Sequence, residues 1–182
     1  MKRGADRGHR LLLSVGVLAA LALGAPEGAR AQQPSSCPAP GQGSGAVLHV
    51  RGAVQEPLTL SAPELDRLPR ERVRVEERDG GVAEYEGVLL AAILARAGVP
   101  TESLRGPQAS TVVVAEALDG YRAAFALAEL DAAFSDRRVL LVDRKNGAPL
   151  SAEEGPFRVV MEGERRHSRW IRQVVCLRVE RL

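Results

Sequence analysis

The chain has 182 residues, with 25 Lys/Arg against 23 Asp/Glu and only two cysteines. The first 31 residues hold five Lys/Arg and two Asp/Glu, so the remaining 151 carry a formal charge of −1. That balance excludes general nucleic-acid binding and attraction to anionic membranes, both of which need many basic groups set against phosphates.

Lys2, Arg3, Arg7 and Arg10 precede an uncharged apolar run from Leu11 to Ala25, and Ala29-Arg30-Ala31 offers small residues at the positions a signal peptidase reads. Residues 1–31 therefore read as a secretory signal, cleaved before Gln32. The apolar run is 15 residues long, short of the roughly 20 that span a bilayer. A periplasmic or secreted protein with no membrane span after signal cleavage is expected. Residues 32–45, QQPSSCPAPGQGSG, have almost no apolar side chains and read as a flexible tether. The single domain is placed at 46–182, long enough to bury about two-thirds of its unfolded surface.

Leu48 and Val50 alternate with His49 and Arg51 in a first strand, and Leu58-Thr59-Leu60 gives a short second one. Ser61-Ala62-Pro63-Glu64 has the pattern of a capped helix start, with Leu65 and Leu68 inward and Pro69 as the stop. Arg72 to Glu76 alternates, Asp79-Gly80-Gly81 turns, and Val82 to Tyr85 returns as a hairpin with one wet face. Leu89, Leu90, Ile93, Leu94 and Ala97 recur at helical spacing before Gly98 and Pro100. Thr111 to Val114 and Tyr121 to Phe125 flank the Asp119-Gly120 turn, and a brief helix is expected around Leu127 to Leu130.

Val139 to Val142 is an unbroken apolar run, as in a strand buried on both faces, and Asn146-Gly147 supplies the positive φ of a tight turn. Ser151 to Glu154 can form one helical turn, ended by Gly155-Pro156, and Phe157 to Val160 resumes as a strand. Ile171 to Val179 reads as the last strand, with Ile171, Gln173, Val175, Leu177 and Val179 on one face and Cys176 on the other. Strands dominate and helices are short, so the fold class is α+β with a mixed or antiparallel sheet.

An apolar strand, Asn-Gly-x-Pro-Leu, a short acidic turn, Gly-Pro-Phe-Arg-Val-Val and a basic stretch ending in Arg169-Trp170 follow one another in an order that resembles the molybdopterin-binding domain of the sulfite oxidase family. Asp119-Gly120-Tyr121 and the segment Tyr85 to Leu90, YEGVLL, extend the resemblance over roughly His49 to the C-terminus. It implies a β-rich sulfite-oxidase-like fold and a pterin whose molybdenum takes one cysteine thiolate, a soft ligand suited to that metal. The ligand position falls near Val73 to Gly80, VRVEERDG, which holds no cysteine. The aromatic and histidine-bearing segment that larger members carry upstream is also missing. For the pterin phosphate the resemblance points to Arg158, Arg165, Arg166, His167, Ser168 and Arg169, and for a substrate funnel to Asp119 and Tyr121. Solvated arginines and a plain Asp-Gly turn explain the same residues without function.

Two readings stand: an exported molybdopterin-binding oxidoreductase of the sulfite oxidase type acting on a small oxyanion or oxide, or a cofactor-free module on the same fold that meets a protein partner. An even pair of cysteines in an oxidising compartment is consistent with a Cys37–Cys176 disulfide. Two free thiols are the alternative.

Overall fold

The computed structural model describes residues 36–39, 41–42 and 47–182. The leader at 1–31 and most of the tether at 32–45, together with Ala46, lie outside the described residues. Among the described residues there are ten strands, two helices and three 3₁₀ turns.

The first sheet has the order β2-β1-β10-β5-β6. It comprises β1 (Val47–Gly52), β2 (Leu58–Ser61), β5 (Thr111–Ala117), β6 (Arg122–Ala126) and β10 (Val174–Arg181). The alternation read in β1 holds: Leu48 and Val50 are fully buried in the core, opposite Leu60 and Leu58 of β2. The pairing of β1 with β10 is parallel, and the sheet's other pairings are antiparallel. Between β2 and the next strand, the four-residue helix α1 (Ala62–Leu65) starts with Glu64 accepting from the Ser61 amide at 2.8 Å and from the Ser61 hydroxyl at 2.6 Å. The hydroxyl thus donates to the carboxylate rather than accepting from a helix amide.

The second sheet runs β3-β4-β7-β8, with β9 also pairing with β7. β3 (Arg70–Glu76) and β4 (Val82–Leu89) form the hairpin read from alternation, with Val73 opposite Tyr85. Helix α2 (Leu90–Arg96) follows and buries Leu90, Ile93 and Leu94. β7 (Val139–Lys145) lies between β4 and β9 (Arg158–Met161), and its first four residues are all buried, on both faces of the sheet. Asn146 (φ 50°) and Gly147 (φ 80°) then turn the chain into the two-residue β8 (Ala148–Pro149), the pair of positive φ values a primed hairpin turn needs. A bulge sits between Glu86 and Gly87, where β4 passes so close to β7 that a Cβ on Gly87 would stand 2.1 Å from the Leu141 carbonyl oxygen. One continuous cluster of buried side chains draws on both sheets and α2. The segment around Leu127–Leu130 is a 3₁₀ turn, a tighter form of the short helix expected there.

The last strand departs from its sequence reading. It starts at Val174, after Gln173 has taken a φ of 51°, and a bulge between Val174 and Cys176 shifts the alternation. Val174, Leu177 and Val179 therefore face the core cluster, and Val175, expected among them, does not belong to it. Cys176 keeps the opposite face, fully buried and bonded to Cys37, with Cα atoms 5.8 Å apart.

Candidate functional site

At one end of the second sheet the strands deliver charged and aromatic side chains to a common point. Tyr85 lies at a core-facing position of β4 and is fully buried, so its hydroxyl needs partners within the fold. It donates to Glu77 Oε1 at 2.7 Å, just past the end of β3, and accepts from Arg158 Nη1 at 3.1 Å, at the start of β9. Lys145, which ends β7, approaches the other Glu77 oxygen at 2.7 Å. Arg158 also pairs with Glu154, four residues earlier in the turn before β9. Lysine, carboxylate, phenol, guanidinium and carboxylate thus form one chain of contacts across three strands and two turns.

A 3₁₀ turn at His167–Arg169 supplies the aromatic wall. Three residues per turn eclipses positions three apart, and His167 accordingly lies flat on Trp170, with ring centroids 3.7 Å apart and planes within 9°. Trp170 meets Tyr85 edge-on at 6.2 Å, and the Arg158 guanidinium carbon lies 5.5 Å from the Tyr85 ring centre and 5.6 Å from that of Trp170. Trp170 Nε1 and Arg158 Nε are buried donors without a partner among the described residues.

Two clefts flank this wall. One, of about 730 Å³, is lined by Asp119, Tyr121, Glu154, Arg158, His167 and Ser168 among others. The Tyr121 hydroxyl donates to the Ser168 carbonyl at 2.8 Å, joining the β5–β6 turn to the 3₁₀ turn. The other, of about 940 Å³, brings Arg74, Arg78, Arg165 and Arg166 around the same His167 and Trp170. The first carries five carboxylates, Glu77, Asp79, Asp119, Glu153 and Glu154, against three arginines, whereas the second carries four arginines against Glu76, Glu77 and Glu164.

Burial lowers the pKa of His167, and the nearby charges of Arg78 and Arg158 lower it further, so its imidazole is neutral at pH 7. Burial pushes the Tyr85 phenol well above its usual range, and the hydrogen bond to Glu77 adds to the shift. Burial pulls Glu77 upward, but the hydrogen bonds from Lys145 and Tyr85 outweigh it and hold the carboxyl below the usual range.

Of the residues singled out from the sequence, Arg158, His167, Ser168, Asp119 and Tyr121 all line the first cleft, and Arg165 and Arg166 line the second. Arg169 lines neither. Its guanidinium donates to Glu129 at 3.0 Å and to Glu164 at 2.7 Å and lies 5.3 Å from the Phe125 ring centre. In a turn with threefold spacing, the side that carries His167 and Trp170 cannot also carry Arg169. Two carboxylates already pair with it. Glu77 and Lys145 were missed by sequence reasoning, and Tyr85 served only as part of a motif. A tyrosine at a core position of an alternating strand is the signal that a polar partner must be nearby.

The segment where the molybdenum thiolate is expected, Val73 to Gly80, does reach both clefts, but with Glu77, Arg78 and, in the first, Asp79. Carboxylates are hard oxygen donors, unlike the soft thiolate the metal takes. Both Glu77 oxygens are already engaged, and Asp79 accepts from the Gly81 amide at 3.0 Å. The chain's two cysteines are bonded to each other, with Cys176 in the other sheet. These residues do not fit a thiolate-ligated molybdenum centre.

One mixed and one antiparallel sheet with short intervening helices and a cleft beside β9 make this an α+β protein of the sulfite-oxidase-like, molybdopterin-domain architecture. The chain belongs to the oxidoreductase molybdopterin-binding domain family, whose sequence model matches residues 42–181. Among solved structures it resembles the sulfane dehydrogenase SoxCD from Paracoccus pantotrophus, with a TM-score of 0.59 and 24% identity, over 75% of this chain and 39% of that one. At that identity the likeness shows the fold, and the matched region is well under half of the SoxCD chain. No curated protein matches this chain.

Proposed function

We propose that this chain is an exported, degenerate member of the family that serves as a binding module and has lost thiolate-ligated molybdenum chemistry. The observation that carries this reading is the donor set: no cysteine stands in Val73 to Gly80, and the only two thiols of the chain are consumed in one disulfide. The cleft's groups recognise rather than transfer oxygen: the Glu77–Tyr85–Arg158–Glu154 chain fixes the floor, and Asp119, Tyr121 and Ser168 frame the opening. A small ligand or an exported protein partner would meet that frame. Protein purified from a host that makes the pterin is expected to hold far less than one molybdenum per chain by elemental analysis. A stoichiometric metal content would overturn the reading.

Retention of a metal-free pterin is a second reading, favoured by Arg78, Arg165 and Arg166, which make no ion pair among the described residues and face the second cleft. Pterin fluorescence in the denatured protein, without molybdenum, would mark it. Export rests on the leader pattern of Lys2 to Ala31, and N-terminal sequencing of exported material is expected to begin at Gln32. Material that begins at Met1 would remove the periplasmic or secreted assignment.

A further inference from the structure

On the face of the first sheet turned away from the core, Arg51 is 1% exposed. Its Nη1 donates to the carbonyls of Val50, at 3.0 Å, and Leu58, and its Nη2 donates to Thr59 Oγ1 at 2.8 Å and to His49 Nδ1 at 3.0 Å. Its Nε has no partner, and no carboxylate pairs with it among the described residues. Every acceptor is neutral, and a buried cation without a counter-anion is costly. Because a guanidinium only donates, His49 Nδ1 must accept, which leaves the imidazole proton on Nε2.

His49 and Cys176 are paired positions on the parallel strands β1 and β10, and both lie on this face. Cys37 reaches Cys176 from a segment pinned nearby by the Gly41 amide on the Leu118 carbonyl at 2.8 Å. The bridge does not hold the core together. Neither cysteine belongs to the core cluster, and Cys37 lies outside the residues that match the family. A disulfide that staples an outer segment onto a sheet, with one cysteine paired in register with a histidine whose Nδ1 is held by a guanidinium that lacks an anion, is placed for chemistry as well as for anchoring.

We propose that Cys37–Cys176 is a thiol–disulfide exchange site for an external dithiol, with His49 and Arg51 as positioning residues for the leaving sulfur. The thiolate of the dithiol attacks Cys37 Sγ, the less buried of the two. The S–S bond breaks, and its electron pair leaves on Cys176 as a thiolate. Cys176 is the register partner of His49, so the thiolate forms on the sheet face that carries the imidazole held by Arg51, and its negative charge acts on the unpaired guanidinium through that imidazole. The second thiol of the dithiol, losing its proton, then attacks the mixed disulfide and releases Cys37. Two electrons and two protons pass to the cysteine pair, and the dithiol becomes a disulfide. This inference stands apart from what the cleft binds.

The test is the rate at which dithiothreitol reduces the bridge in the native full chain, read by quenched alkylation and mass, from pH 6 to 9. The groups bearing on the pH profile are His49 and Arg51 on β1, Arg178 and Glu180 on β10, Arg122 on β6, and Glu116 on β5, which is held by Arg178 at 2.8 Å. The bridge is expected to open under native conditions with the near-ultraviolet dichroism of the fold retained. Arg51→Gln is expected to slow reduction about tenfold and to shift the pH profile, because a poorer leaving thiolate leaves more slowly, while Arg51→Lys restores most of the rate. A bridge that opens only in denaturant, or a rate unchanged in Arg51→Gln, would show a purely structural link and overturn the proposal. If Arg51→Gln does not fold, His49→Gln decides in the same way, an unchanged rate overturning it and a slowed one supporting it.

Discussion

His167 lies flat on Trp170, and the Arg158 guanidinium carbon stands 5.6 Å from the Trp170 ring centre. The imidazole is half-buried, and the charges of Arg78 and Arg158 act on it, so its folded pKa lies below the unfolded value of about 6.5. As pH falls, the unfolded chain takes up this proton first. The stability from a neutral His167 is therefore complete above pH about 6.5 and is lost as pH falls from there through the folded pKa. His49, lowered by burial and by Arg51, acts in the same direction. Urea midpoints at pH 7.5 and 5.5 should differ in the native sequence and differ less in His167→Gln. An equal difference in both would contradict the assignment.

Tyr85→Phe removes a hydroxyl that donates to Glu77 and accepts from Arg158 while leaving the buried ring in place. Two partly buried partners are each left short of a contact, Glu77 keeping Lys145 and Arg158 keeping Glu154. A loss of about 1.5 kcal/mol in urea unfolding is expected, with little change in the slope against denaturant.

Arg70 holds three carboxylates at once: Asp66 at 2.7 Å, Glu86 at 2.9 Å and Asp143. Hydrogen bonds from Arg70 and Arg72 hold the Glu86 carboxyl below its usual range. Arg70→Met leaves Glu86 and Asp143 facing each other without their shared cation. The expected cost is about 2 kcal/mol, below the figure for fully buried pairs because solvent reaches this cluster. Asp66→Ala, at the exposed end, should cost less than half as much by the same measurement.

Two glycines separate space from backbone conformation. Gly163 has a φ of 71° with nothing within 4 Å of the place an added methyl group would take, so Gly163→Ala should cost about 1 kcal/mol. A Cβ on Gly87 would meet the Leu141 carbonyl oxygen at 2.1 Å and Val142 Cα at 2.5 Å. Gly87→Ala must part β4 from β7 and is expected to cost about 3 kcal/mol or more. Thermal melts of the two variants side by side test the order.

Local chemistry made much of the fold legible in the sequence. The β3–β4 hairpin followed from strict alternation, α2 from helical spacing, and the β7–β8 turn from Asn146-Gly147, because each is specified by neighbours in the chain. The site was legible in part. His167, Ser168, Arg158, Asp119 and Tyr121, singled out through the order of short motifs, come together along one cleft, whereas Arg169 is drawn to Glu129, 40 residues away in the chain, which no local pattern shows. The shift of alternation in β10 came from a bulge that no residue type announces. The alternation in β1 sets Arg51 on the face opposite Leu48 and Val50, and nothing local shows that it is buried there.

The parallel pairing of β1 with β10 sets the order in which this protein can form. The strand that begins at Val47 must find the one that ends at Arg181, and β10 sits between β1 and β5 in the sheet. Until the eight residues of β10 emerge from the ribosome, β1 and β2 have no sheet to join, and the β5–β6 hairpin lacks its neighbour. Such distant closure is slow. The first sheet therefore stays open until β10 has been made, and a truncation that removes a few residues of β10 should abolish that sheet rather than trim it.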